Sequence, residues 1–390
     1  MTTKTEKTTI LIHYGELGLK GKNRIDFENR LRKNIKASCT AKKIDCDFSL
    51  EHRYLTLAPH NPKLTAETLD ILSKTFGISW YAPATVLPIT ATSGDITAAV
   101  VQLAQTFGSP DRTFRIKAKR ANKNYPERSA EIEKSVGKAV IADTSYTRVN
   151  LSRPDDTYYI EIDQQEIYIF NQRYEGLRGL PVGSSGPVLV LLSGGFDSPV
   201  AAYLMAKRGC SVNFLHFYVN KPRAGDKISR LAGALTQYTG PGTLHTAPYL
   251  PFNIAVLDIG TEYELVLFRR FMLKIAERIC SEKGYQAIVS GDSLGQVASQ
   301  TLENISATTC ALADTTLLRP LIAYDKEEII ALAKRIGTYD ISNESDKDCC
   351  SLIDRHAKTR VSREKIEMEE EKIENYEKVC EETLLEGRTL

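Results

Sequence analysis

The stretch Val188-Leu189-Val190-Leu191-Leu192-Ser193-Gly194-Gly195-Phe196-Asp197-Ser198 leaves this chain few folds to choose from. The apolar run Val188 to Leu192 predicts a buried parallel strand. Pro199-Val200-Ala201-Ala202-Tyr203-Leu204 predicts the opening of a helix, with proline near the start, where it is tolerated. Strand, glycine turn and helix in succession are the unit of a doubly wound α/β sheet, which binds ligands at the carboxyl ends of its strands. Gly194 and Gly195 let the backbone turn tightly and put no side chain between its N–H groups and a ligand. The helix N-terminus brings unpaired N–H groups and a partial positive charge to the same spot. Ser193 and Ser198 add hydroxyl donors. These residues make a phosphate cradle; the plainer reading is a Gly-Gly turn and nothing more.

No Gly-Lys-Ser/Thr follows, so this is not the Walker loop. The stretch resembles the SGGxDS signature of the PP-loop ATP pyrophosphatases, and every specified residue fits. That resemblance implies cleavage of ATP between its α and β phosphates, adenylation of a substrate oxygen and release of pyrophosphate. Mg²⁺ is the expected companion of the triphosphate.

A chain of 390 residues predicts two or three domains, and 42% hydrophobic residues suffice for real cores. The net charge is only +2, but residues 1–182 carry 27 Lys/Arg against 21 Asp/Glu, and the remainder 24 against 28. The basic excess points to an anionic partner for the first half. No apolar run approaches the roughly 18 residues that span a membrane, and no signal peptide opens the chain. The eight cysteines, at 39, 46, 210, 280, 310, 349, 350 and 380, are too scattered for a disulfide-stapled fold. A reducing cytosol is therefore expected. The absence of C-x-x-C argues against a zinc ribbon or a paired-cysteine cluster, and no metal-ligand set is expected.

The N-terminal region reads as two small α+β units. Thr8 to His13 predicts a strand, and Phe27, Leu31 and Ile35 predict a helix burying one face. Between them, three glycines with Lys20, Lys22 and Arg24 make either a phosphate-binding loop or a solvated turn. Arg53 to Leu57 predicts another strand, and Ala66 to Phe76 another helix. A second pattern starts near Ser79, with helices over Ile96 to Phe107 and Ser129 to Ile141. Between these, Thr113 to Arg120 alternates, with Phe114, Ile116 and Ala118 on one face and Arg115, Lys117 and Lys119 on the other. Arg120 and Lys123 extend the basic patch. Such a strand suits a phosphate backbone, or is an edge strand protected by charge. Further strands are expected within Thr147 to Leu151, Tyr158 to Ile162 and Glu166 to Asn171.

After the glycine-rich linker at Tyr174 to Pro181 the pattern alternates as in a doubly wound fold. Strands are expected at Ser211 to Tyr218, Thr243 to Tyr249, Gln286 to Ser290 and Leu317 to Ile322. Helices are expected at Lys227 to Tyr238, Glu262 to Glu282, Gln296 to Glu303 and Lys326 to Gly337. Ser362 to Thr383 reads as one charged helix, a surface or packing arm. His216-Phe217 ends a strand where a base can be packed and read, although His216 is also a plausible core histidine. Arg269 is either a phosphate partner or a solvated helix charge. Gly291 lets a ligand approach the backbone, and Gln300 offers both donor and acceptor. Asp325 and Glu328 make a capping box, which leaves Lys326 able to serve as a point cation at an α-phosphate. Cys349-Cys350, set in a loop near Lys347 and Arg355, reads as a reactive pair rather than core, or as two incidental thiols.

Taken together, these words resemble the tRNA 4-thiouridine synthetase (ThiI) family, over about residues 8–355. The strongest are Gly179 to Pro181, Leu191 to Ser198, Ser290 to Leu302 and Arg319 to Glu328. Phe114 to Arg120 and Glu131 to Gly137 resemble a THUMP RNA-binding domain, and Gly15 to Arg24 the ferredoxin-like domain preceding it. The resemblance implies three domains: residues 1–75 ferredoxin-like, 76–173 THUMP and 174–390 the PP-loop domain. It implies that ATP adenylates uridine 8 of tRNA and that a persulfide sulfur then displaces AMP. Asp197 matches the aspartate required for activation, and Lys326 a catalytic lysine. Leu191, Leu192, His216, Phe217, Arg269, Gly291 and Gln300 match ATP contacts. Cys350 aligns best with the catalytic cysteine, and Cys349 is the shifted alternative. Lys20, Lys22, Arg24, Arg115, Lys117, Lys119 and Arg120 are the expected tRNA contacts.

The chain resembles short members without a rhodanese domain, so a cysteine desulfurase or a separate rhodanese-type protein is expected to supply the persulfide. The family's role in thiamine synthesis goes with the rhodanese part. A homodimer in the cytoplasm is also implied. The other classes in play are a different PP-loop RNA modifier, of the 2-thiolation or lysidine type, and a non-catalytic tRNA-binding protein.

Overall fold

The computed structural model describes residues 9–16, 23–50, 54–220, 223, 225–345, 349, 353 and 358–389. The chain divides into two units, Met1–Gly179 and Leu180–Leu390.

The first unit runs β1 (Thr9–His13), α1 (Arg24–Ala41), β2 (Cys46–Leu50), β3 (Leu55–Pro59), α2 (Thr65–Ser73), β4 (Trp80–Pro88) and α3 (Ser93–Phe107). It continues through β5 (Thr113–Arg120), α4 (Ser129–Asp143), β6 (Arg148–Val149), β7 (Asp156–Ile162), β8 (Glu166–Phe170) and β9 (Tyr174–Glu175). Its strands form one sheet in the order β2-β3-β1-β4-β8-β7-β5-β6, with β9 on β4. The long β4 makes this continuous: Trp80 to Ala84 pair with β1, and Thr85 to Pro88 pair with β8. The helices bury the stripes that their spacing predicts. Leu31 and Ile35 pack on Ile10 and Ile12. Val100, Ile132 and Val136 pack on Phe114 and Ile116. Strand β2 escapes the sequence reading because it is only five residues long and half polar.

The second unit is an α/β fold: β10 (Pro187–Leu191), α5 (Asp197–Lys207), β11 (Ser211–Tyr218), α6 (Lys227–Thr239), β12 (Leu244–Pro248), α7 (Leu250–Ala255), α8 (Thr261–Lys283) and β13 (Ala287–Val289). Then come α9 (Leu302–Thr309), β14 (Thr316–Leu318), α10 (Lys326–Ile336), α11 (Tyr339–Asn343), α12 (Arg363–Glu370), α13 (Tyr376–Glu386) and β15 (Arg388–Thr389). The sheet order is β14-β13-β10-β11-β12-β15, parallel except for β15. Strand β10 has β11 on one side and β13 on the other, so the order reverses there. A crevice at the carboxyl end of β10 follows from that reversal.

Three expectations are corrected. The helix expected over Gln296 to Glu303 is a 3-10 turn, Ala298–Gln300, followed by α9. The Thr301 hydroxyl accepts from Asn304 N and starts the real helix there. The C-terminal charged helix is two helices, broken at Asn375, whose φ of 53° is left-handed. Of the two expected roles, surface or packing arm, it takes the packing one. Ile366, Ile373, Val379 and Cys380 belong to the main core, and Glu370 receives Arg270 at 2.7 Å in the interior. Last, Cys349 is core: it is 3% exposed and its thiol donates to the Phe217 carbonyl at 3.3 Å.

Candidate active site

The phosphate loop is held closed by its own serines. Ser193 N donates to Ser198 Oγ at 2.9 Å, the two hydroxyls lie 3.2 Å apart, and Gly195 N donates to Ser193 Oγ at 3.3 Å. Helix α5 then starts at Asp197 without a side-chain cap, so its first N–H groups remain available to an anion. Leu192 lies buried beneath the loop. Gly291 has a structural reason to be glycine: a Cβ there would lie 2.9 Å from Ser198 N and 3.0 Å from Asp197 Cβ. The strand-end loop after β13 therefore packs directly on the start of α5.

A cavity of about 270 Å³ opens where these loops meet. Leu191, Ser193, Asp197, Ser198, Arg269, Gly291 and Gln300, all singled out from the sequence, line it together. Gln300 is buried, and its Oε1 has no hydrogen-bond partner. An unsatisfied buried acceptor is costly unless a ligand completes it.

Asp197 sits at the mouth of α5. Gln296 Nε2 donates to its Oδ2 at 3.2 Å, and the charge of Lys326 acts on it. Burial pushes the Asp197 carboxyl above its ordinary range, against the Gln296 hydrogen bond and the Lys326 charge, while Asp292 adds to the rise. Lys326 is the first residue of α10, exposed, and held in place by the Asp325–Glu328 capping box, both halves of which form. Gln296 Oε1 is buried without a partner beside Asp197. A carboxylate and an amide oxygen fit one side of a Mg²⁺ shell completed by phosphate oxygens and water.

The sequence reading missed Asp292. It is 3% exposed and pairs with Arg269, with Arg319 at 3.0 Å and with the Ser290 hydroxyl at 2.8 Å. Burial opposes its charge, but Arg269 and Arg319, with the Ser290 hydroxyl, hold the Asp292 carboxyl down to about 2. Arg269 is thus not a solvated charge; it lines the cavity, aimed by Asp292 and by Ser299 Oγ at 3.2 Å. The depressed pKa contributes stability that is complete above about pH 4 and is lost as the pH falls toward 2. Asp292→Asn should therefore cost about 2 kcal/mol at neutral pH and flatten the acid limb of the unfolding curve. An unchanged midpoint at pH 7 would contradict this.

His216 and Phe217 do not line the cavity. They lie near the end of β11, both buried. His216 Nδ1 lies 3.0 Å from the Leu192 carbonyl and so carries the proton. Phe217 packs edge-on against Phe268 and Phe271.

Of the expected tRNA contacts, Lys20 and Lys22 lie outside the described residues, as does the expected catalytic Cys350. Arg24 is engaged by Glu28 at 2.5 Å and by the Tyr14 hydroxyl at 2.7 Å. Arg115 bonds Thr157 and the Leu151 carbonyl, and Arg120 bonds the Tyr125 and Glu127 carbonyls at 2.8 and 2.6 Å. These three hold local structure, whereas Lys117 and Lys119 stand exposed on β5, opposite its buried face. Among the described residues no cluster of three metal-binding side chains occurs, and no helix is long and apolar enough to cross a membrane.

Residues 183–375 match the family described as thiamine biosynthesis protein (ThiI), residues 9–82 the ThiI ferredoxin-like domain, and residues 90–171 the THUMP domain. A probable tRNA sulfurtransferase of Thermoanaerobacter sp. (strain X514) is 35% identical over 382 residues, which cover 94% of this chain and 95% of that protein. Its counterpart in Geobacillus kaustophilus (strain HTA426) is 38% identical over 367 residues, covering 92% and 89%. The crystal structure of a 4-thiouridine synthetase–RNA complex with bound ATP is similar with a TM-score of 0.88 at 31% identity, covering 99% of each chain.

Proposed function

The chain belongs to the ThiI family, and from that membership we propose that it is an ATP-dependent tRNA sulfurtransferase making 4-thiouridine at position 8. The observation that carries the reading is the convergence of the serine-closed loop, Asp197, Gly291 and Gln300 on one cavity at the sheet's switch point.

The uridine carbonyl is a poor site for displacement, because oxide leaves badly. Attack of that oxygen on the α-phosphorus of ATP expels pyrophosphate and turns the oxygen into part of AMP, a good leaving group. The loop N–H groups and the α5 N-terminus bind the phosphates, and Lys326 stabilises charge developing at the α-phosphate. Mg²⁺, held by Asp197 and Gln296, would neutralise the departing pyrophosphate. The terminal sulfur of a persulfide on Cys350 then attacks C4 and displaces AMP, leaving a C4–S–S–Cys350 adduct; a second thiol attacks the Cys350 sulfur, which breaks that S–S bond, releases 4-thiouridine and leaves a disulfide on Cys350. The persulfide comes from a cysteine desulfurase or a separate rhodanese-type protein. The enzyme works in the cytoplasm as a homodimer.

Incubating unmodified tRNA with the protein, Mg-ATP and sulfide, then analysing nucleosides, tests the reading without the donor. ATP-dependent 4-thiouridine at position 8 supports it. Pyrophosphate release with no thionucleoside leaves activation standing and the acceptor wrong. Neither product, with tRNA still bound, favours a binding protein.

Two further outcomes follow. With a cysteine desulfurase supplying persulfide and no added sulfide, Cys350→Ser should still release pyrophosphate but form no 4-thiouridine, whereas Cys349→Ser, at a buried residue bonded to a backbone carbonyl, should retain thiolation. The reverse pattern would move the sulfur to Cys349. Replacing Lys117 and Lys119 together by Ala should weaken tRNA binding and lower its salt slope by about 1–2. An unchanged slope would remove β5 from the RNA footprint.

A further inference from the structure

The phosphate loop has a cation beside it that the mechanism above does not use. Lys227 is the first residue of α6, after the N-cap Asp226, whose carboxylate accepts from Ser229 N at 2.8 Å. Its side chain runs along Gly194. A Cβ placed on Gly194 would lie 3.3 Å from Lys227 Nζ, 3.4 Å from Cε and 3.5 Å from Cδ. The glycine thus leaves room for the lysine as well as for a ligand. The ammonium donates to the backbone carbonyls of Ser342, at 3.0 Å, and Glu344, at 2.7 Å. Those carbonyls belong to a segment that leans on the same loop. Ser342 Oγ donates to the Gly195 carbonyl at 3.1 Å, and Tyr339 stacks on Phe196 with centroids 5.3 Å apart. The Glu344 carboxylate is taken by Arg230 at 2.8 Å.

We propose that Lys227 is a ligand of the phosphates bound at residues 193–198, exchanging the Ser342 and Glu344 carbonyls for oxygens of the pyrophosphate end of ATP. The inference rests on the ATP reading of this loop. A neutral carbonyl is a weaker partner for an ammonium than a phosphate oxygen is. Lysine, a point charge on a flexible stem, makes the exchange by rotating its own bonds. The loop otherwise offers only partial charges from N–H groups, and Arg269 is committed to Asp292. Two lysines from different helices then divide the phosphate chain: Lys326 acts near Asp197, where bond breaking occurs, and Lys227 holds the leaving group.

The test is calorimetric titration of the full chain with ATP, pyrophosphate and AMP, for the wild type, Lys227→Gln and Lys227→Arg. Glutamine keeps a donor for the two carbonyls and removes the charge; arginine keeps the charge. Lys227→Gln should weaken ATP and pyrophosphate about 10- to 100-fold and leave AMP unchanged, with Lys227→Arg recovering most of the loss. Equal weakening of all three ligands, or none, would reduce Lys227 to a structural tether and overturn the proposal. A wild type that binds none of the three would instead sink the ATP reading, and Lys227 with it.

Discussion

Asp197→Asn should reduce tRNA-dependent pyrophosphate release by at least about 100-fold while leaving tRNA affinity and thermal midpoint near wild type. The substitution keeps the side chain's shape and its contact with Gln296 Nε2, so little but the charge changes. Burial already works against that charge. A desolvated carboxylate at a phosphate site gains most from a divalent cation, and an amide cannot replace it there. Release above roughly a tenth of wild type would take Asp197 out of the chemistry.

Glu370→Ala should be the most destabilising substitution proposed here, by about 3–5 kcal/mol. Glu370 accepts from Arg270 Nε at 3.1 Å and Nη2 at 2.7 Å, from Lys274 at 3.2 Å and from Tyr376 at 3.2 Å. Burial opposes its charge, yet Arg270 and Lys274 hold the carboxyl below its usual range. Arg270 is 3% exposed and also caps the Ala307 carbonyl at 2.6 Å. Removing Glu370 leaves that guanidinium buried with half its partners. The midpoint should fall by roughly 10 °C. The pair Arg270→Met with Glu370→Met should recover much of the loss, since both charges then leave together. A loss under about 1 kcal/mol, or a double variant as weak as the single, would show that the charges are not what docks α12.

Much of the site is legible in a few local words. The strand, the glycines, the serines and Asp197 lie within one short stretch, and each is demanded by a turn, a phosphate or a helix start. The capping box at Asp325 and Glu328 is equally local and forms as read. The alternation of Thr113 to Arg120 matches β5 because period two maps directly onto a strand's two faces. What it could not tell is which basic residues are spent at home. Arg115 and Arg120 reach carbonyls on neighbouring loops, and only the fold brings those loops near.

The sequence by itself determined the class of sheet, the phosphate loop and the family, because these are written in contiguous residues and in periodicities set by backbone geometry. Tertiary structure alone decided three matters. Asp292 became the partner of Arg269 and Arg319, which come from a helix and a strand end 23 and 27 residues away. Gly291 proved to face the start of α5. The charged C-terminal helices entered the core, with Glu370 meeting Arg270 across 100 residues of chain. The reason is common to all three: a residue's real environment is set by which elements pack against it, and no local pattern carries that information.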